Sequence, residues 1–426
     1  MIRSISNIPG PVQFLLGLQH VFAIILGTMI VPVLTGFPLP ITLLMAGGCT
    51  LVFQYFTSNK VPLFFSCSFF FIGAYSFIQQ TCIARGMSPE MGLCYGSFGI
   101  FISGIIIGIL GLSLALVNKK MIAKLLLPTI ITSPFIMALG ISMIGVAVND
   151  CVRDPLLAAI ALVTSLLAIR FCKGYLRMIP IVVGVILTYA IAIAQGKVDF
   201  TPVHEASWVG LPFTNDYCAL TVMEDMDYGM LFIAIVTMIP LIFEDLVEHI
   251  GDVVAVSKTT GINYPKAIGL NRTIGALGMC TCLAGFIGSP APSAFSQTTG
   301  LIKVTRMGAP GAISIAALGM IVLAFCPKLT ALMGTIPAGI IGGVTLIMYV
   351  MIAVVGVNTL LSEKVDMRNA KNLTICIAMV VSSTIVTYLF DDRLTLFGIP
   401  FSGLALAGMI GYAIYWFIPN KHTRNE

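Results

Sequence analysis

The sequence predicts an all-α polytopic membrane protein with fourteen spanning segments, arranged as two inverted repeats of seven. Three observations predict it. Hydrophobic residues fill 58% of the 426 positions and charged residues only 10%, against about 25% charged in an ordinary soluble domain. The apolar stretches have bilayer length, which is about 20 residues for a helix. With the N-terminus in the cytoplasm and the segments alternating, 18 of the 23 Lys and Arg residues face the cytoplasm and 5 face outside, as the positive-inside rule requires.

The first half reads as segments 13–34, 40–57, 62–80, 92–117, 122–147, 155–171 and 178–196. The second reads as 229–256, 267–288, 290–304, 308–327, 331–357, 372–390 and 395–418. The polar loop between the halves, 197–228, falls outside, and its acids are read as solvated. Seven segments per half turn the second half upside down relative to the first, which is the arithmetic of an inverted-repeat transporter. The expected location is the plasma (inner) membrane, multi-pass, with both termini cytoplasmic and no cleavable signal. The net charge of +5 follows from topology and excludes no membrane role; nucleic acid is not an expected partner. The eleven cysteines are scattered and mostly apolar in setting. Cys280 and Cys282 are too close for a metal finger, so no metal and no cofactor are expected.

Segment 3 contains Val61-Pro-Leu-Phe-Phe-Ser-Cys-Ser68-Phe69 and segment 10 contains Gly288-Ser-Pro-Ala-Pro-Ser293-Ala-Phe-Ser296-Gln297-Thr298-Thr299-Gly300. The second is a poor continuous helix. Pro290 and Pro292 remove donors and fix φ, and the hydroxyl residues are too polar for lipid. Irregular backbone at membrane depth is tolerated only against protein or a wet cavity. The expectation is a short extended stretch ending at the N-terminus of a half-helix near Gly300, whose free N–H groups face a ligand.

Segment 8 carries Glu244, Asp245, Glu248, His249 and Asp252. Each ionisable group at membrane depth costs about 2.5–3.5 kcal/mol on insertion scales, so these groups must face protein or water. Glu244, Glu248 and Asp252 recur every four residues and share a face. Asp245 and His249 lie about 100° further round. Such a face marks a substrate or ion site.

At these residues the chain resembles the nucleobase–ascorbate transporter family, and within it the bacterial uracil and xanthine permeases. The family signature of segment 10 is matched by Gln297, Gly300, Thr305 and Arg306, with Thr298 in place of the family Asn. Gln19-His20 in segment 1, Ser68-Phe69 in segment 3, Glu248-His249-Ile-Gly-Asp252 in segment 8 and Tyr349 in segment 12 match further family features. The resemblance implies a core domain of segments 1–4 (residues 1–121) and 8–11 (229–328). It implies a gate domain of segments 5–7 (122–228) and 12–14 (329–426), with short strands in segments 3 and 10. It also implies a substrate held between those strands, homodimers and proton coupling.

The chemistry of a flat base with alternating donors and acceptors fits these side chains. Glu248 is the expected acceptor of ring N–H groups, and Gln297 offers one donor and one acceptor. Phe69 suits the ring face, with backbone N–H groups of Phe69 and Ser296 adding bonds; Ser68 and Tyr349 complete the expected substrate set. Asp252, roughly 6 Å from Glu248 along the axis, is the expected proton carrier, together with Glu248 and His20. His249 reads as structural. The favoured function is proton-coupled import of a nucleobase, leaning to purines (xanthine, urate) on Gln297 and Asp252. The alternatives are a uracil permease of the same family, an anion exchanger of the related sulfate-transporter fold and, from another class, an intramembrane acid protease.

Overall fold

The computed structural model describes residues 9–115, 129–172, 180–213, 217–223, 226–305, 308–362, 364–390, 394–396, 399–401 and 403–418, apart from a few side chains named where they matter. In order, its elements are α1 (Gly10–Thr35), α2 (Leu39–Phe56), β1 (Phe65–Cys67), α3 (Ile72–Ala84), α4 (Pro89–Ser113), α5 (Thr129–Arg153), α6 (Pro155–Phe171), α7 (Pro180–Ala194) and α8 (Thr201–Glu205). There follow α9 (Tyr228–Thr260), α10 (Leu270–Ile287), β2 (Pro292–Ala294), α11 (Ser296–Thr305), α12 (Pro310–Ala324), α13 (Pro327–Gly334), α14 (Ala338–Ser362), α15 (Ala370–Leu389), β3 (Leu394–Leu396), β4 (Ile399–Phe401) and α16 (Gly403–Phe417). Among the described residues six helices are long and apolar enough to cross a membrane, or up to eight if each of two bent helix pairs is one span. Among the described residues the protein is mostly helical, with strands confined to two short pairs.

The chain forms two compact units. The first contains Met1–Val117 and Val163–Pro337, the second Asn118–Leu162 and Ala338–Glu426. In the first unit α4 lies directly against α10. A Cβ added at Gly104 would meet the Cys282 backbone, one at Gly111 the Gly275 backbone and one at Gly278 the Gly108 backbone. Lipid gives no hydrophobic drive between helices, so close backbone approach through small residues supplies the packing. The second unit uses the same device. Gly140 of α5 abuts Ala353 of α14, and Gly342 of α14 abuts Cys151 of α5.

Helix α9 is 33 residues long. The Asp227 side chain caps it by accepting from the N–H groups of Gly229 and Met230, and Gly261, with φ of 77°, ends it. That left-handed conformation suits glycine.

Several boundaries differ from expectation. The half-helix of segment 10 starts at Ser296, not near Gly300, which falls in its second turn. Pro292 is the last proline there, and the ladder uses only residues up to Ala294, so nothing delays the helix beyond Ser296. The expected segment 331–357 is displaced: α13 ends at Gly334 and α14 begins at Ala338, because Pro337 is a helix starter and not a helix interior residue. The expected segment 395–418 begins as an antiparallel hairpin, Thr395 opposite Pro400, with helix only from Gly403. Pro400 has no N–H for a helix interior.

Candidate functional site

The site is built where two chain breaks meet in the first unit. Strands β1 and β2 pair antiparallel with Phe65 opposite Ala294, Ser66 opposite Ser293 and Cys67 opposite Pro292. Beyond the ladder the Ser68 N–H donates to the Ala291 carbonyl (2.8 Å) and the Phe295 N–H to the Phe64 carbonyl (2.9 Å). Three residues per strand cannot satisfy all their backbone groups alone, and buried groups must be satisfied. Side chains from neighbouring helices complete the set. Thr50 Oγ1 of α2 accepts from the Phe65 N–H at 2.9 Å, and Tyr75 of α3 accepts through its hydroxyl from the Ala291 N–H at 2.9 Å. Gln54 Nε2 donates to the Val61 carbonyl at 2.8 Å, fixing the chain that leads into β1. The Thr28 hydroxyl donates to the Ile24 carbonyl, so its 2.8 Å contact with Ser66 Oγ is read with Ser66 donating.

Helix α9 brings its acids to β2. Ser293 Oγ of β2 donates to Glu248 Oε2. Glu248 is half-buried, while Asp252 (6% exposed) and Asp245 (0%) are buried. Asp245, Glu248 and Asp252 follow one another at spacings of three and four residues, which puts the three carboxyl groups along one side of α9. His249 is fully buried, with its ring edge-on to Phe53 at 5.8 Å and tilted against Phe65 at 5.9 Å. It braces α9 against α2 and β1, as its place off the acid face suggests.

Phe69, directly after β1, is half-buried and stacks on Phe295 with centroids 6.5 Å apart and planes 26° from parallel. Phe295 in turn lies over Gly27 of α1, where a Cβ would meet its ring. The two rings form a stacked pair just past the ends of β1 and β2. Ser68 is buried (1%), and its Oγ has no hydrogen-bond partner. Thr298 is fully buried, its N–H donating to the Phe295 carbonyl at 3.0 Å while its Oγ1 has no partner. Gly300 is exposed with open space where a Cβ would stand.

Other expected residues divide as follows. His20 is buried (2%) on α1 with Nδ1 unpartnered, and Gln19 is half-buried beside it in the chain. Tyr349 belongs to the second unit, where it is buried (1%) on α14. The side chains of Glu244, Ser296, Gln297 and Thr305, and Arg306 entirely, lie outside the described residues. Sequence reasoning missed Ser293 as the partner of Glu248, Phe295 as the backing ring of Phe69, and Tyr75 as the acceptor for Ala291. A hydroxyl directly after Pro292 was a legible signal for Ser293. Nothing in the sequence distinguished Phe295 or Tyr75 from packing aromatics.

Three comparisons bear on the site. The model of a permease family, that of xanthine and uracil permeases, matches residues 12–391. A probable uracil permease of Haemophilus influenzae is 30% identical, covering 97% of this chain and 96% of its own. The uracil permease of Bacillus subtilis is 27% identical, covering 97% and 94%. Among solved structures, the transmembrane domain of a cyanobacterial bicarbonate transporter superposes with a TM-score of 0.60 at 16% identity, covering 91% of this chain and 98% of that one. SLC26A9 superposes with a TM-score of 0.65 at 14% identity, covering 95% and 64%. These two share the fold.

Proposed function

This chain belongs to the nucleobase–ascorbate transporter family, a family of multi-pass membrane permeases, and from that premise we propose that it carries uracil across the membrane by alternating access. The observation that carries the reading is the placement of Glu248. One of its oxygens is held by Ser293 on the crossing strands, which leaves the other to accept a ring N–H while Phe69 takes the ring face. Uracil presents two ring N–H groups and two carbonyls, and the Gln297 carboxamide suits one of each. Backbone N–H groups at Phe69 and Ser296 add donors, with Ser68 and Tyr349 as further substrate contacts.

The purine lean rested on Gln297 and Asp252. The full-length relatives named for uracil outweigh it, and Tyr349 points the same way, so uracil takes first place and xanthine second. Import is driven by protons, with Glu248, Asp252 and His20 as the titrating groups. Residues 1–121 and 229–328 serve as the core that holds the substrate, and 122–228 and 329–426 as the gate. The chain has fourteen segments in two inverted repeats and works as a homodimer. The fold shared with a bicarbonate transporter and SLC26A9 does not extend to an anion as substrate here: three acids along one buried face repel one. Relatives that are permeases also set aside an intramembrane acid protease.

The test is uptake of radiolabelled uracil and xanthine in cells lacking their own permeases, with and without a protonophore. Uracil accumulation that collapses with the protonophore is expected. Xanthine accumulation with no competition from uracil overturns the substrate, and accumulation that survives the protonophore overturns the coupling.

A further inference from the structure

The polar loop between the halves contains one stretch unlike the rest of it, Ala206-Ser-Trp-Val-Gly-Leu-Pro-Phe213, which has no ionisable side chain. Trp208, Val209 and Leu211 are 72%, 80% and 79% exposed, and Phe213 is exposed after them. The polar groups of the stretch turn to the protein instead. The Gly210 N–H donates to the Phe325 carbonyl just after α12, and the Lys328 N–H of α13 donates to the Ser207 carbonyl, both at 3.1 Å. The Ser207 hydroxyl donates to the Val209 carbonyl at 3.1 Å. A Cβ at Gly210 would meet the Pro327 ring, so the stretch is a strap laid flush on the bend between α12 and α13.

The depth of that bend follows from the two helices. Helix α12 has 15 residues, or about 22 Å of length, against a hydrocarbon core of about 30 Å. Lys303 and Arg306, shortly before it in the chain, put its start on the inner side. A helix that short ends at or below the opposite membrane surface. Its Leu318 and Val322, four residues apart, are exposed, so an apolar face runs to its last turn. Helix α13 then leaves at 86° to α12, which lays it along the membrane plane and not out into water. Its far end is tied down where the Tyr189 hydroxyl of α7 meets the Thr335 hydroxyl at 2.6 Å. The strap therefore continues the lipid-facing surface of α12 at the level where that helix stops. Lys328 Nζ stands 4.9 Å from the centre of the Trp208 ring. An indole belongs at headgroup level, and a lysine beside it lays its stem on apolar surface and sends its ammonium outward.

We propose that residues 208–213 and Lys328 form an interfacial anchor: Trp208, Val209, Leu211 and Phe213 enter the outer leaflet, and Lys328 pairs with a lipid phosphate. The occupant is the bilayer because the strap is joined to a lipid-facing helix at membrane depth and carries no charge of its own. The one cation beside it suits a phosphate. This part of the loop is thus a foothold of the first unit in the membrane and not a solvated connection.

The experiment is tryptophan fluorescence of the full chain in phospholipid vesicles. The chain has two tryptophans, so Trp416→Phe leaves Trp208 alone. Its emission should be blue-shifted and spared by aqueous iodide. Lipid brominated near the glycerol end of its acyl chains should quench most of it, and lipid brominated near the chain methyls much less. If Trp416→Phe fails to fold, the wild-type signal minus that of Trp208→Phe gives the same quantity. Water-like emission that iodide quenches and bromolipid does not overturns the anchor. Blue-shifted emission that neither quenches means that a second copy or another protein covers the ring, and overturns it equally. Lys328→Met removes the phosphate partner, so the depth of strongest quenching should move towards the chain methyls; an unmoved depth overturns the pairing of Lys328 with lipid. No arm of the test uses transport, so its outcome is independent of the substrate.

Discussion

Glu248→Gln tests the substrate site most directly. The substitution keeps the side-chain shape and replaces one acceptor oxygen by an NH2 donor. In the folded protein one oxygen already receives the Ser293 proton. The amide oxygen of the variant can serve Ser293 or the ligand, but not both as two carboxylate oxygens do. If it serves Ser293, a donor faces the ligand's ring N–H; if it serves the ligand, the NH2 must donate to Ser293 Oγ, reversing that bond without the carboxylate's charge. Either way one charge-assisted hydrogen bond is lost, which is about 1.5–3 kcal/mol. At 1.4 kcal/mol per decade that is roughly a ten- to hundredfold weaker Kd. The assay is equilibrium binding of radiolabelled uracil to purified protein, with thermal unfolding of the same samples as the control. An intact fold with affinity within about twofold of wild type would refute the placement of Glu248 against the base, because no arrangement of the amide keeps both contacts charge-assisted.

Tyr75→Phe leaves the buried Ala291 N–H without its acceptor and should lower stability by about 1–3 kcal/mol; an unchanged Tm would show that Tyr75 does not hold the strand crossing. Gly104→Leu should force α4 off α10, since a Cβ there already meets the Cys282 backbone, with a loss of about 1–3 kcal/mol or more. Gly108→Ala, with open space at its own Cβ, is the tolerated control, and equal behaviour of the two variants contradicts the packing. Asp227 is held below the usual carboxylate range by the N–H groups of Gly229 and Met230, with Arg85 adding to it. Its contribution is therefore present above the ordinary Asp pKa and lost as pH falls through the lowered one. Asp227→Asn keeps a capping side chain but should remove that acid-side loss, which unfolding curves in acid will show or deny.

The sequence alone determined the solvent in which this protein lives and the chemistry its interior must hold. A low charge content and apolar runs of bilayer length leave no other environment, and four carboxylates in one such run leave no role as lipid-facing residues. Pro290, Pro292 and their hydroxyl neighbours marked the break in segment 10 because their backbone effects are local. Helix periodicity likewise put Glu248 and Asp252 on one face and His249 off it. The breaks before Ala338 and Gly403 were signalled by Pro337 and Pro400, whereas the start at Ser296 depends on where the strand ladder ends, which the packed neighbours decide.

What the tertiary structure decided is which distant residues meet. Ser66 and Ser293 are far apart in the chain and opposite each other in the ladder. Their register is set by helices α2, α3 and α9, which supply Thr50, Tyr75 and the acids. No period in either strand encodes that register, because three-residue strands have too little pattern to fix one. For the same reason the sequence could rank Glu248 as an acceptor but could not find its hydroxyl donor. It could not show Asp245 enclosed either, since spacing gives direction around a helix and not what waits there. Asp245 is fully buried, and burial is a property of the assembled unit.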